Sequence, residues 1–451
     1  MPRKRPGHRA VGLRHPAQYI VVAFVVASLV GALLLSIPMA AEGPGRTSFL
    51  TALFTATSAV CVTGLVVVDT GAHWTAFGEW VILGLIQVGG LGIMTLSSLL
   101  VVAVARRLGL RQRLIAAAET GSTNLGDLRR LLVGVVMLTF GVEAVVATAL
   151  FLRFWLSHGE SVARAAYLGV FHAVSAFNNA GFSPLGDNLV GLNRDPFLLL
   201  VLAAAVVVGG LGFLVVVQVA RHPRTPHRWN LHAKLTLSTT AFLIVAGWLL
   251  LGWFEWTNDG TLGPMSTPDK VVNALVHSVM PRTAGFNSID MAAMREPSLL
   301  VTEILMFIGG GSASTAGGIK VTTFALLGWM MWAEARGDPD VVVFERRVAR
   351  GAQRQAVTVA LSALGIVMIA TMTLLATTDL PRAGLQFEAV SALATVGLST
   401  GVTPILSGTS QGIVVALMIM GRVGPPTLFA ALALRERDRQ YRHPEERPIV
   451  G

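Results

Sequence analysis

Four short apolar segments, each closed by a glycine, carry the backbone best suited to chemistry in this chain. They read Phe-Thr-Ala-Thr-Ser-Ala-Val-Cys-Val-Thr-Gly64, Phe-His-Ala-Val-Ser-Ala-Phe-Asn-Asn-Ala-Gly181, Leu-Val-His-Ser-Val-Met-Pro-Arg-Thr-Ala-Gly285 and Phe-Glu-Ala-Val-Ser-Ala-Leu-Ala-Thr-Val-Gly397. Phe54, Phe171, Leu275 and Phe387 share one column; Ser58, Ser175, Val279 and Ser391 share another; Leu65, Phe182, Phe286 and Leu398 follow the glycines. Such turns offer neutral backbone oxygens. Carbonyls directed at a common axis can replace the water shell of a dehydrated cation, and hard oxygens suit alkali ions rather than zinc or copper. Glycine allows the backbone geometry this needs, positive φ included. The competing reading is a set of packed outer caps closed by turn glycines.

Three further features bear on chemistry inside an apolar environment. Gly309, Gly310, Gly311, Ser312, Ala313, Ser314, Thr315, Ala316, Gly317 and Gly318 form an unbroken run of small residues in mid-segment. Glycine costs about 1 kcal/mol relative to alanine within a helix, so a helix should break here, and a break at the midplane normally lines a cavity. A small-residue packing face is the alternative. A phosphate loop is a poor reading, because Lys320 does not directly follow the glycine as such a loop requires. Arg422 interrupts the apolar stretch Gly412–Leu434. A charge at that depth costs at least ~2.5 kcal/mol, so it must face water or a partner. Glu143, in Leu131–Trp155, is the other deep charge, placed either to bond a neighbouring re-entrant helix or to serve an ion path.

The elements that must hold these residues are membrane-spanning. Of 451 residues, 53% are hydrophobic and 13% charged, too few charges to cover a soluble domain of this size. Eight segments approach the ~20 apolar residues that cross a bilayer: Ala17–Met39, Val81–Ala105, Leu131–Trp155, Pro196–Ala220, Leu231–Trp253, Leu299–Phe307 continuing through Val321–Trp332, Gln355–Ala376 and Gly412–Leu434. No cleavable leader pattern precedes the first, which is expected to be retained. The net charge of +10 sits mostly in alternate loops: the arm 1–16, segments 106–130, 221–234 and 333–354, and the tail 435–451. The positive-inside rule assigns these loops, and both termini, to the cytoplasm, which accounts for the charge without nucleic acid. The single cysteine, Cys61, permits no disulfide or cysteine-based metal site within one chain.

A second mark follows each glycine at nearly constant distance: Gly89-Gly90-Leu91-Gly92, Gly209-Gly210-Leu211-Gly212, Gly309-Gly310-Gly311-Ser312 and Gly421-Arg422-Val423-Gly424. Any one glycine pair reads as close helix packing; two marks recurring in step read as four units of roughly 110 residues. The expected organisation is an all-α integral membrane protein of four span–short helix–span repeats, 17–110, 111–225, 226–345 and 346–434, arranged pseudo-fourfold around one ion pore. Each short apolar segment starts and ends on the outer side, so it must re-enter, and its non-helical backbone is tolerated only along an aqueous path.

Thr57–Leu65, Ser175–Phe182, Pro281–Ile289 and Ser391–Ser399 resemble the four pore loops of the Trk/Ktr/HKT potassium transporters. The likeness covers nearly the whole chain and is strongest in Pro281–Asp290 and Ser314–Lys320. The chain is similar to the bacterial Ktr membrane subunit rather than to the longer TrkH type, having about eight spans and no extra N-terminal pair. The resemblance implies a selectivity filter at Val62, Thr63, Gly64, Asn179, Ala180, Gly181, Thr283, Ala284, Gly285, Thr395, Val396 and Gly397, with K⁺ held by carbonyls at the four glycines. Plant relatives selective for sodium often carry serine in the first filter; glycine in all four favours potassium. The resemblance also implies a gate, made by the Gly309–Gly318 loop with Lys320 and by Arg422 projecting below the filter. It further implies a homodimer in the cell membrane and a separate cytosolic ring of nucleotide-binding subunits on the basic inner loops. Sodium is a candidate activator, and nucleotide belongs on the partner only. Two departures stand out: Val279 replaces the recurring serine in the third segment, and relatives typically have a proline near Ser312.

Other classes fit less well. No His-Glu-x-x-His supports an intramembrane metalloenzyme. An alternating-access sodium or ammonium carrier would also show repeats. His172 and Glu388, which share a repeat column, are expected at the surface or at a helix terminus.

Overall fold

The computed structural model describes residues 16–43, 47–107 and 125–424. The basic arm before Pro16, most of the basic stretch 106–130, the end of the Gly412–Leu434 segment and the tail 435–451 lie outside the described residues. The chain runs α1 (Pro16–Leu35), α2 (Phe49–Val60), α3 (Thr70–His73), α4 (Ala76–Arg107), α5 (Leu125–Ser157), α6 (Val162–Phe177), α7 (Pro196–Leu211), α8 (Phe213–Arg221), α9 (Leu231–Glu255), α10 (Thr267–Val279), α11 (Glu296–Phe307), α12 (Val321–Arg336), α13 (Arg350–Thr377), α14 (Arg382–Ala394) and α15 (Gly408–Val423).

The short helices α2, α6, α10 and α14 are those that carry the glycine segments. Three start on serine caps: Ser48 accepts from Thr51 N–H, Ser161 from Arg164 N–H and Ser266 from Asp269 N–H. Such caps satisfy donors that a helix start leaves unpaired. The fourth starts after Pro381. Phe54, Phe171 and Phe387 are fully buried, so the aromatic column is the face that packs inward. The long helices instead present apolar side chains outward, with Met137, Val145 and Trp253 at least 70% exposed. That is the pattern of a chain dissolved in hydrocarbon.

Each short helix packs against the span before it, α2 on α1, α6 on α5, α10 on α9 and α14 on α13. It also packs on the helix that follows the previous short helix: α6 on α4, α10 on α7, α14 on α11, and α2 on α15. The last of these contacts joins the end of the chain to its beginning, so the series closes on itself. At the start of α7, Asp195 accepts from Leu198 N–H at 3.1 Å and Arg153 Nε–H at 2.8 Å, with His158 Nε2 also 2.8 Å away. Burial pushes this carboxyl up, but the bonds from Arg153 and His158 outweigh it and hold it below the ordinary carboxylate value.

Among the described residues, four helices are long and apolar enough to cross alone: Ala76–Thr95 of α4, Leu132–Ser157 of α5, α9 and α13. One expectation changes. Pro196–Ala220 is not one straight span, since α7 and α8 meet at a 100° bend. The bend sits at Gly212 (φ 89°, ψ 145°), and Gly424, its counterpart at the end of α15, has nearly the same backbone (φ 85°, ψ 137°). That region is strained for any residue with a Cβ. The matching Gly92 stays helical within α4. Sequence marks the places where a break is allowed; the packing around each decides whether it occurs. The chain also holds a small hairpin, β1 (Val342–Val343) with β2 (Arg346–Arg347), turned through Phe344 and Glu345, both at positive φ, the conformation of a tight two-residue hairpin loop.

Candidate ion filter and gate

Beyond each short helix the chain turns back in one recurring conformation. Val62, Asn179, Thr283 and Thr395 have φ between 50° and 74°, and so, two residues on, do Gly64, Gly181, Gly285 and Gly397 lie at positive φ, from 70° to 98°. Thr63, Ala180, Ala284 and Val396 stand between. Their N–H groups fold back on the short helix: Thr63 to Ser58 O at 2.7 Å, Ala180 to Ser175 O at 2.7 Å and Val396 to Ser391 O at 2.9 Å. The serine column braces the same turns. Ser58 Oγ accepts from Gly64 N–H (3.0 Å), Ser391 Oγ accepts from Gly397 N–H (3.1 Å), and Ser175 Oγ donates to Phe182 O (2.7 Å).

The third turn departs from this in the way its sequence departs. Val279 has no hydroxyl, and the backbone register moves by one residue. Ala284 N–H and Gly285 N–H both donate to Met280 O, at 3.0 and 3.2 Å.

The four glycines approach one another in chain order. A Cβ added to Gly64 would lie 2.3 Å from Ala180 O; on Gly181, 2.6 Å from Ala284 O; on Gly285, 2.3 Å from Val396 O; on Gly397, 2.2 Å from Thr63 O. First meets second, second third, third fourth and fourth first. The second glycine mark has a different job. A Cβ on Gly89, Gly209 or Gly421 would strike Val60 O, Phe177 O or Leu393 O, four residues before the nearby turn glycine, so these glycines let a span press against the end of a short helix.

Between α11 and α12 the helix is replaced at this level by non-helical backbone. From Ile308 to Lys320 the chain leaves α11, loops and rejoins α12, closed by Gly309 N–H to Ile319 O (2.9 Å), Ile319 N–H to Phe307 O (3.1 Å) and Val321 N–H to Gly310 O (3.0 Å). The loop is mostly buried and lies against two of the turns. Thr315 Oγ1 donates to Phe177 O at 3.3 Å, the Asn179 amide nitrogen reaches Thr315 Oγ1 at 3.2 Å, and a Cβ on Gly317 would meet Thr395 Oγ1 and Ala394 O. It also backs onto the bend at Gly212, with Gly311 N–H bonded to Gly210 O at 2.7 Å. Arg422, 4% exposed, donates to Thr315 O at 2.5 Å and Gly89 O at 3.5 Å, and Lys320 Nζ donates to Ala316 O at 2.6 Å. Two cations thus serve as donors to a loop rich in backbone carbonyls.

The family model for the cation transport protein TrkH matches residues 3–440. The chain belongs to the TrkH family. The Ktr system potassium uptake protein B of Bacillus subtilis is 38% identical over 97% of both chains. The potassium/sodium uptake protein NtpJ of Enterococcus hirae is 34% identical, again over 97% of each. The solved potassium transporter TrkH of Vibrio parahaemolyticus superposes with a TM-score of 0.75 at 19% identity, covering 96% of this chain and 87% of that one; it shares the fold.

Within this TrkH-family chain, some residues sit elsewhere than expected. His172 and Glu388 are neither superficial nor terminal: they are 1% and 0% exposed. His172 lies between Leu168 O (2.9 Å) and Ser183 Oγ (3.0 Å), and Glu388 accepts from Thr403. Helical position alone does not distinguish an outer face from one packed against a returning loop. Glu143 bonds a neighbouring short helix, one of the two roles open to it. Its Oε2 accepts from Gln87 Nε2 (3.2 Å) and its Oε1 from Asn178 Nδ2 (3.0 Å), so it anchors the C-terminal cap of α6 by side chain rather than backbone. Removing that acceptor leaves the Gln87 amide unpaired, while Asn178 Nδ2 keeps Gln87 Oε1 and Val174 O; an unpaired buried donor costs about 1–3 kcal/mol. Glu143→Ala is therefore expected to lower the melting temperature of the purified protein, and Glu143→Gln to retain most of it; equal stability of Ala and wild type would exclude the anchor. Residues that sequence reasoning passed over include Asn188, whose Nδ2 donates to Gly181 O at 3.1 Å, and Gln87. The register of polar residues relative to the glycines was the only available signal for them.

Proposed function

We propose that this chain is the pore-forming subunit of a Ktr-type potassium-uptake system. The carrying observation is the closed order in which the four turn glycines abut each other's carbonyl strands. Four repeats, with the boundaries given above, form a pseudo-fourfold arrangement in which Gly64, Gly181, Gly285 and Gly397 and the two residues before each make a carbonyl-lined filter. The Gly309–Gly318 loop, Lys320 and Arg422 make the gate below it. The names of the relatives support potassium as cargo, and "system" in one of them supports a multi-component assembly. We assign both termini and the basic loops to the cytoplasm of a multi-pass protein in the cell membrane. There a homodimer carries a cytosolic nucleotide-binding ring, with sodium as a candidate activator.

Ion-resolved uptake in a host lacking its own potassium transporters tests the proposal. Expression is expected to restore growth at low potassium, with uptake that saturates in potassium and not in ammonium. Uptake of sodium or ammonium without preference for potassium would favour the alternating-access alternative, whose repeats are compatible with the same chain.

A further inference from the structure

Arg282 is a buried cation that the filter and gate leave unassigned. It stands three residues before Gly285, inside the third turn, and is 6% exposed. Its Nη1 donates to Thr240 O at 3.4 Å, and its Nη2 to Thr240 Oγ1 at 3.2 Å and Gly309 O at 3.4 Å. Thr240 lies on α9, and Gly309 is where the third inner helix gives way to the loop. Among the described residues, no carboxylate is one of its partners. Burying a guanidinium against neutral acceptors is costly, so the position needs a reason beyond filling space.

Two observations supply one. The third turn is the one without a serine brace, and Arg282 is the long side chain that ties it to its surroundings. In the second turn the equivalent position is Asn178, which ties to Gln87 and Glu143 on continuous helices. In the third, one acceptor is a backbone carbonyl of the loop itself. The support that Arg282 gives its turn therefore depends on where the loop lies.

We propose that Arg282 is a positioning residue that couples the intramembrane loop to the third filter turn. Displacement of the loop then alters ion discrimination at Gly285 as well as throughput. The inference rests on the filter-and-gate reading above. When the loop is seated, all four turns are braced, three by serine and one by arginine. When it moves, Gly309 O leaves and the third turn alone is loosened.

The test uses the full-length protein in lipid vesicles, with potassium and sodium fluxes measured separately. Arg282→Met keeps an unbranched, flexible side chain as long as the aliphatic stem, strips the donors and removes a costly buried charge, which favours folding. It is expected to lower the potassium-to-sodium flux ratio about fivefold, a typical coupling between contacting residues. Arg282→Lys is expected to keep part of the ratio. Val279→Ser, which supplies the hydroxyl present in the other three turns, is expected to restore it in the Arg282→Met background. With residues 310–315 deleted, Arg282→Met is expected to add no further loss. An unchanged ratio in Arg282→Met, a loss that Val279→Ser does not relieve, or an undiminished loss in the deleted background would each overturn the coupling. Should Arg282→Met fail to accumulate, Thr240→Val removes one acceptor and is expected to lower the ratio less; no change there would equally overturn it. Gly64→Ser measured alongside separates the two readings: a ratio that moves in Gly64→Ser but not in Arg282→Met leaves the filter standing and removes this inference alone.

Discussion

Arg422→Ala is expected to raise potassium flux by about tenfold or more and, because the freed loop also withdraws Gly309 O from Arg282, to lower the preference for potassium over sodium by less than Gly64→Ser does. The guanidinium holds Thr315 O at 2.5 Å and reaches Gly89 O at 3.5 Å, so it pins the middle of the loop to α15 and α4. A hydrogen bond from a charged group contributes roughly 1.5–3 kcal/mol, and every 1.4 kcal/mol is about a tenfold change in population. Loss of the bond frees the loop, and loss of the charge lowers the barrier to a passing cation, since two unit charges 4 Å apart interact by about 4 kcal/mol at an effective dielectric of 20. Deleting residues 310–315 removes Thr315 itself and is expected to raise flux further in protein that still inserts. The rival account pairs Arg422 with Glu143 as structural glue. Glu143 is instead satisfied by Gln87 and Asn178, so the double variant Arg422→Ala, Glu143→Gln should show additive effects on melting temperature. A stability loss in Arg422→Ala that Glu143→Gln rescues, with no gain in flux, would sink the gate.

Gly64→Ser is the second large effect, and it acts on selectivity. At φ 95° a side chain is strained by about 1–3 kcal/mol, and its Cβ would stand 2.3 Å from Ala180 O, far inside contact distance. The neighbouring strand must move, and the strand that moves supplies carbonyls to the proposed filter. Sodium conductance is expected to appear and the potassium-to-sodium flux ratio to fall about tenfold, the change that 1.4 kcal/mol of differential binding produces. The same substitution at Gly181, Gly285 or Gly397 meets the next carbonyl in the series and is expected to act alike. A substitution at Gly84, where a Cβ meets nothing within 4 Å, is the control and should leave the ratio alone. Normal insertion with unchanged selectivity in Gly64→Ser would remove the filter assignment.

The sequence by itself determined that this chain lives in a membrane, because so few charges spread over such long apolar runs admit no other solvent. It determined the recurring glycine segments and the mid-segment run that would not stay helical, because glycine and serine leave marks at fixed spacing whatever surrounds them. It located Arg422, because a lone arginine in an apolar run is conspicuous. Tertiary structure alone decided how the marks are used. Gly92, Gly212 and Gly424 look alike in sequence, yet the first is helical and the others sit at positive φ, since a glycine permits a break and only its neighbours require one. Partners across the chain were equally hidden: Arg422 with Thr315, Glu143 with Asn178, and Arg282 with Gly309 are separated by up to about a hundred residues, and a buried polar group takes the nearest acceptor in space. The burial of His172 and Glu388 belongs to the same class, because it depends on which returning loop covers the helix face, and no local pattern carries that information.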